Sequence, residues 1–472
     1  MLLKEKVSKL QTRRFPQSRK LIMLLGDVGL IVLAYVLTTS LFLDRTILLT
    51  SFQLYSGMLP VILIITGLLL NINGMYSIVQ KRFAEILLSL MVTNLCTMIF
   101  MMALSFFIRE FSYSRGVLGV TVILQFVFLS CWRYLFWRIE RRIHDMQTVL
   151  LIGSEEECTH VYNRLSQQPQ LNLKLKYVCT SMENNAWESA AREVDVIMVC
   201  AEMRHRHKVK IINYCHAYGK QPLLIPNTFE IFCSGAALDK IDDIPVFRPQ
   251  SLRPTIETRI LKRLLDIVVA GIGFVCALPF MLVTAIAIKI GDPGPVLYSQ
   301  IRVGRDGKEF KVYKFRTMRV DAEKYSGPML AQENDPRITK LGRFLRAVRL
   351  DELPQIWNVI SGDMSIVGPR PERPFFVEQF IKETPEYAYR HNVKPGITGM
   401  AQVYGKYNTT AFDKLVYDLM YIEKCNILMD LTIIIQTIRV LFTKSATEGA
   451  GRKQKPLNIA KYNIGKDIYG DF

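Results

Sequence analysis

Charge is scarce in this chain. Only 22% of its 472 residues are Asp, Glu, Lys or Arg and half are hydrophobic, a balance too apolar for an ordinary soluble protein. Paired cysteines are also missing. Cys96, Cys131, Cys158, Cys179, Cys200, Cys215, Cys233, Cys276 and Cys425 are scattered, with no Cys-x-x-Cys and no regular spacing. That pattern argues against a zinc framework or a disulfide-built fold and for free thiols in a reducing compartment. No small-residue cleavage pattern ends the first apolar stretch, which argues against a secretory signal peptide. The net charge of +18 is not gathered into one basic arm, so nucleic acid is not the expected partner. Anionic lipid and phosphorylated substrates are.

What the chain does have is long apolar runs. After a basic start (Lys4, Lys6, Lys9, Arg13, Arg14, Arg19, Lys20) come four segments at about Leu21–Leu43, Leu54–Ile72, Ile86–Ile108 and Val117–Phe136. Lys81 and Arg82 lie between the second and third, and Arg138, Arg141 and Arg142 lie beyond the fourth. The positive-inside bias therefore puts the N-terminus, the central loop and the exit in the cytoplasm.

Next comes an α/β pattern over 144–249. Buried-type strands are expected at Thr148–Ile152, Leu173–Thr180, Val194–Ala201 and Gln221–Pro226, with a helix at Arg206–Tyr218. That alternation predicts a parallel, Rossmann-like sheet. The glycine fingerprint of a dinucleotide site is absent, because Gly153 is followed by Ser154-Glu155-Glu156-Glu157. Tyr-x-x-x-Lys spacing is absent there too. The expectation is a degenerate fold with a regulatory, spacing or oligomerisation role. A linker at Asp242–Pro254 is expected to join it to the C-terminal part of the chain.

Chemistry concentrates further on, in Leu350-Asp351-Glu352-Leu353-Pro354-Gln355-Ile356-Trp357-Asn358 and Gly362-Asp363-Met364-Ser365-Ile366-Val367-Gly368-Pro369-Arg370-Pro371. Asp351 reads as an N-cap, with Pro354 in the first turn and Gly362 closing the helix. At a helix N-terminus Asp351 is expected to stay ionised beside a phosphate. Arg343, Arg346 and Arg349 recur every third residue, which predicts three guanidinium groups near one helix face. Cations beside paired carboxylates suggest phosphoryl chemistry, one carboxylate as nucleophile and its neighbour holding a divalent metal.

Between Arg259 and Phe442 the chain resembles the bacterial polyprenyl-phosphate sugar-1-phosphate transferases, the monotopic phosphoglycosyl transferases. The resemblance rests on Lys262-Arg263-Leu264-Leu265-Asp266, Gly294-Pro295, Gln300-Ile301-Arg302-Val303-Gly304 and Lys314-Phe315-Arg316-Thr317-Met318. It continues through Asn334-Asp335-Pro336-Arg337-Ile338-Thr339, the Asp351-Glu352 pair, Gly368-Pro369-Arg370-Pro371 and Lys394-Pro395-Gly396-Ile397-Thr398-Gly399. It implies that Asp351 attacks the sugar-proximal phosphate of a UDP-sugar, expels UMP and carries a covalent phosphosugar until polyprenyl phosphate, undecaprenyl phosphate in bacteria, takes it. Glu352, with Asp351, would hold Mg²⁺, for which Mn²⁺ can substitute. Arg346 and Arg370 would hold phosphates, with Lys314, Arg316 and Arg349 as further cations.

The apolar segment at about 264–289 is long enough to span but contains Pro279. The basic stretch after it and the cytoplasmic origin of nucleotide sugars predict a re-entrant helix, broken near Pro279, with both ends on the cytoplasmic face. Ile427–Phe442 suits either an interfacial or a core helix. Tyr404, Tyr407, Tyr417 and Tyr421 read as channel lining or packing.

The expected architecture is a mixed membrane protein: a basic N-terminus (1–20), four transmembrane helices (21–143), a cytoplasmic Rossmann-like α/β domain (144–249), an α-rich monotopic transferase domain (250–443) and a polar tail (444–472). The expected setting is the bacterial inner membrane, the products capsule, exopolysaccharide or O-antigen. A nucleotide-sugar-modifying oxidoreductase and a non-catalytic membrane scaffold are the alternatives. The sugar, and whether the chain forms a homo-oligomer, stay open.

Overall fold

The computed structural model describes residues 16–42, 59–76, 81–107, 115–143, 146–182, 186–249, 251–319, 335, 337–405 and 409–441. The expected tail, the loop Asp321–Glu333, Tyr407 and the links 43–58 and 108–114 between the apolar segments lie outside them. The chain divides into two compact units, Met1–Ile225 with Gln454–Phe472, and Pro226–Lys453.

The first unit begins with four helices: α1 (Pro16–Phe42), α2 (Leu59–Ile72), α3 (Phe83–Phe107) and α4 (Arg115–Ile143). Three of them, α1, α3 and α4, are long and apolar enough to cross a bilayer. Helix α2 has 14 residues, and 54–58 of its expected span lie outside the described residues. Met23, Ile31, Leu70, Leu90 and Leu129 form the shared core. Some of its buried polar groups bond across helices, which keeps them satisfied away from water. Asn73 Nδ2 donates to Thr93 Oγ1 at 3.0 Å. Arg133 on α4 pairs with Asp27 on α1 and donates to the Met75 carbonyl at 3.1 Å, tying three parts of the bundle together.

The same unit continues as β1 (Gln147–Ile152), α5 (Glu155–Ser166), β2 (Leu173–Cys179), α6 (Ala186–Arg192), β3 (Val196–Val199), α7 (His205–Tyr218) and β4 (Gln221–Leu224). The sheet order is β2-β1-β3-β4 and every pairing is parallel. Both faces of β1 and β3 are covered, which is why Val149–Ile152 and Val196–Val199 read as unbroken apolar runs. Leu150, Ile152, Ile197 and Val199 pack against Trp187 and Ile211 on one side. Val149, Leu151, Val196 and Met198 pack with Cys158 and Val178 on the other.

Correction is needed after β4. The second unit opens with α8 (Thr228–Ser234), whose Ile231 packs with Leu415 and Leu419. Ser234 Oγ donates to Glu423 at 3.0 Å. Residues 226–249 thus belong to the C-terminal unit. The first half of the expected linker Asp242–Pro254 is the turn and second strand of a hairpin, β5 (Ala237–Ile241) with β6 (Ile244–Arg248), although its proline and charge suggest coil.

Helix α9 (Ile256–Gly291) comes next, and it is helical for 36 residues straight through Pro279. The expected break is absent as a loss of helix. An interior proline removes one N–H and crowds one carbonyl, a local penalty that the flanking turns and side-chain packing withstand here. Its buried residues Lys262, Asp266, Ala270, Ala277, Thr284 and Ile288 are spaced by four or seven, a single stripe. Val275, Phe280, Val283 and Ile290 of the same helix are exposed.

Beyond it lie the hairpin β7 (Leu297–Val303) and β8 (Glu309–Phe315), α10 (Lys340–Ala347), a 3₁₀ turn at Leu350–Glu352 and α11 (Gln355–Ser361). Strand β9 (Ser365–Val367), α12 (Pro374–Glu383), a 3₁₀ stretch at Pro385–Asn392, and β10 (Gly396–Thr398) come next, with β9 and β10 parallel. Helices α13 (Met400–Tyr404), α14 (Ala411–Glu423) and α15 (Ile427–Leu441) close the unit. Helix α15 takes the core reading on one face, with Ile433 buried beside Val367 and Tyr421, and exposes Leu428 on the other.

Candidate active site

Strand β8 presents Lys314 beside the 3₁₀ turn that carries the carboxylate pair. Asn358 on α11 sets this register: its Nδ2 donates to the Lys311 carbonyl at 2.7 Å and its Oδ1 accepts from Tyr313 N–H at 3.1 Å. A fully buried amide thus takes the place of a strand neighbour. Sequence reasoning gives Asn358 no role beyond its place in a motif; its position among apolar residues is the signal that marks it as buried.

Helix α10 begins at Thr339, whose hydroxyl accepts from Gly342 N–H at 2.9 Å. A Cβ on Gly342 would stand 2.0 Å from the Thr317 carbonyl, so only glycine lets this helix lie against the end of β8. That approach brings Arg346 to Thr317, Nε to Oγ1 at 2.9 Å.

The expected three-arginine face is not formed. Arg343 is exposed, and Arg349 lies beyond α10 in the left-handed region, φ 59°. This turn redirects the chain, so the Arg349 guanidinium sits 3.9 Å from Glu352 Oε2.

Asp351 is not an N-cap either. It lies inside the 3₁₀ turn, and Pro354 occupies the cap position of α11 without a side-chain bond. Gly362 does close α11, at φ 96°. The two carboxylates live in contrasting surroundings. Glu352 Oε1 accepts from Lys314 Nζ at 2.9 Å and from Arg370 Nη2 at 2.8 Å. Asp351 is buried, and its Oδ1 has no hydrogen-bond partner.

Those surroundings set the electrostatics. Burial pushes the Asp351 carboxyl above its ordinary value and the Glu352 charge adds to this, against Lys314, Arg346 and Arg349. Burial would raise Glu352 too, but Arg370, Lys314 and Arg349 outweigh it and hold the carboxyl well below the usual range. Lys314 is lowered by burial and by Arg370, with Glu352 opposing. Asp351 is therefore not at a helix N-terminus as expected, and burial makes the loss of its proton more costly than in water.

Arg316 is turned elsewhere. It donates to the Asp292 carbonyl and lies 3.6 Å from the Asp292 carboxylate, securing the end of α9. The structure therefore brings Lys314, Arg346, Arg349 and Arg370 toward the pair but not Arg316. Pro279 lies inside α9.

Among the described residues no three His, Cys, Asp or Glu side chains are grouped to hold a metal. Asp351 and Glu352 nevertheless fit Mg²⁺ that completes its shell with phosphate oxygens, because one buried carboxylate oxygen lacks a partner.

Residues 257–444 match the bacterial sugar transferase family, and 71–214 match a CoA-binding domain family. An Aeromonas hydrophila UDP-N-acetylgalactosamine-undecaprenyl-phosphate N-acetylgalactosaminephosphotransferase is 44% identical over 207 residues, 43% of this chain and 49% of the relative. The UDP-glucose:undecaprenyl-phosphate glucose-1-phosphate transferase of Klebsiella pneumoniae is 37% identical over 319 residues, 63% of this chain and 68% of the relative. A Streptococcus agalactiae galactosyl transferase, CpsE, is 43% identical over 194 residues, 39% and 42% respectively. The chain spans about half the length of the Aeromonas relative and of an Escherichia coli glucose-1-phosphate transferase.

A coenzyme A pyrophosphate does not fit the first turn of α5. Ser154 and Glu157 close that turn on each other as a capping box, and Glu157 Oε1 also accepts from Glu202 N–H at 3.0 Å. A Cβ on Gly153 would stand 2.6 Å from Cys200 Sγ, so the glycine's open side is already filled.

Proposed function

The chain belongs to the bacterial sugar transferase family, and on that footing we propose that it moves a sugar-1-phosphate from a UDP-sugar to undecaprenyl phosphate. The observation that carries this reading is the divided pair: Glu352 neutralised by Lys314 and Arg370, Asp351 buried with a free oxygen.

The Asp351 carboxylate attacks the sugar-proximal phosphorus of the donor. The bond from that phosphorus to the bridging oxygen breaks, UMP leaves, and an aspartyl phosphosugar remains. An oxygen of undecaprenyl phosphate then attacks the same phosphorus and returns the carboxylate. Arg346 and Arg349 offer charge to phosphate oxygens, and Arg370 does so while holding Glu352. Asp351 and Glu352 would hold Mg²⁺, which would supply further charge neutralisation to the phosphates. The product begins a capsule, exopolysaccharide or O-antigen chain.

Helix α9 supports a one-sided placement on the cytoplasmic face of the inner membrane. Near its start Lys262 bonds Asp430 at 2.6 Å and Arg263 bonds the Val359 carbonyl at 2.6 Å. Near its end Ile288 packs with Phe315 and Leu345. Both ends rest on one catalytic unit, so a full crossing would draw that unit through the bilayer. A re-entrant course puts the pair at the headgroup plane, between a water-borne donor and a lipid-borne acceptor.

The test is UMP release by detergent-solubilised protein from a panel of UDP-sugars with undecaprenyl phosphate and Mg²⁺. Release that needs one sugar, the lipid and Asp351 supports the reading. No release from any donor by folded protein overturns it.

A further inference from the structure

Arg370 sits in a segment that cannot hold itself. Gly368-Pro369-Arg370-Pro371-Glu372-Arg373 forms neither helix nor strand, and Pro369 and Pro371 have no N–H to offer a neighbour. Its carbonyls are instead held from outside, one after another. Pro369 O accepts from Gly396 N–H at 2.9 Å and Glu372 O from Val303 N–H at 3.0 Å. Between them, Arg370 O accepts from Arg390 Nη2 at 3.0 Å and Pro371 O from Arg302 Nη1 at 3.1 Å.

Arg390 is itself fixed on three sides. Its Nε donates to Asp418 Oδ2 at 2.7 Å, its Nη1 to the Tyr387 hydroxyl and its Nη2 to the loop. The side chain is 6% exposed and Asp418 1%. Such a buried pair is a costly way to gain stability alone, since an apolar replacement is often as good. What the pair does here is aim a rigid planar donor at one carbonyl.

We propose that Arg390 is a positioning residue for the transfer: through the Arg370 carbonyl it sets where the Arg370 guanidinium meets Glu352 and the substrate phosphates. Arg302 does the same one peptide further on. The proposal rests on the reading that Arg370 serves phosphosugar transfer. None of the hydrogen bonds that Arg390 makes goes to the carboxylate pair, so its effect passes through the loop.

The experiment is a mutant cycle on the full-length protein, measuring kcat/KM for UMP release and the thermal midpoint. Arg390→Met should lower kcat/KM about tenfold to a hundredfold, the scale of a small misplacement of a catalytic group. Placed on Arg370→Met, it should cost less than about twofold more, because its target is gone. Arg390→Lys keeps a cation against Asp418, so it should hold the thermal midpoint yet lose activity. Arg302→Met gives a second cycle if Arg390→Met does not fold. Equal loss in both backgrounds, or an Arg390→Lys enzyme with unchanged kcat/KM, overturns the proposal. Full activity of Arg370→Met alone would instead remove the role assigned to Arg370.

Discussion

Asp351 and Glu352 are adjacent in the chain, yet burial and neighbouring charge move their acidities in opposite directions. Each shift is also a statement about stability. For Asp351 the folded value lies above the unfolded one, so its stabilising contribution is complete below the unfolded value and disappears as pH rises through the folded value. At neutral pH the ionised side chain is therefore a strain on the fold. Asp351→Asn should abolish turnover, by about 10³-fold or more, while raising the thermal midpoint at pH 7 by roughly 2 °C. Calorimetry beside the UMP assay checks both. Glu352 has the reverse sign, contributing above its unfolded value and losing that contribution as pH falls through the depressed folded one. Glu352→Gln should reduce turnover severely and lower the midpoint, because Lys314 and Arg370 lose their counter-charge. The acid-side fall of the wild-type rate profile should come at a higher pH than an unperturbed aspartate would give, because burial raises the Asp351 carboxyl. This division is invisible in the sequence. The left-handed turn at Arg349 decides it, and arginine is not a residue whose presence announces that conformation.

Among the helices and strands, legibility tracks the physics that forms each one. The central strands β1 and β3 are readable because both faces of the sheet are covered there, leaving continuous apolar runs between turn residues. The hairpin β5–β6 is not, since its strands carry Asp239, Lys240 and Pro245 and resemble a linker in composition. In α9 the apolar length is plain, but proline signals a break, and the helix runs on through Pro279. Lys262 and Asp430 lie 168 positions apart, so their pairing is beyond any local pattern. Lys262→Ala should destabilise the catalytic unit by about 3–5 kcal/mol, as loss of one partner strands the other buried charge; denaturation monitored by tryptophan fluorescence would show it. The re-entrant placement has its own test. Single cysteines at Thr255 and Asp292, in a background lacking other reactive thiols, should both resist an impermeant maleimide in intact cells and both react in inverted vesicles. Labelling of either from outside would mean that α9 crosses.

For the molecule as a whole, composition points to membrane association and the motifs to a transferase, while the division of labour between units requires the structure. The boundary at Pro226 changes what a minimal enzyme should contain. Residues 226–453 keep α8 on α14 and should retain UMP release within about tenfold of the full chain, whereas a start near Arg253 strips the Ile231 contact from Leu415 and Leu419 and should be less stable. Complete loss of activity in a folded 226–453 protein would show that the first unit takes part in catalysis. The decisive step is the covalent one, and mass spectrometry of protein quenched in acid after exposure to its UDP-sugar without lipid acceptor tests whether Asp351 itself carries the phosphosugar. Up to one equivalent of UMP should be released, and a phosphosugar mass should appear on the peptide containing Asp351, absent from Asp351→Asn and discharged by undecaprenyl phosphate. UMP release that needs the lipid from the first turnover, with Asp351 unmodified, would contradict this and indicate direct transfer between the two substrates.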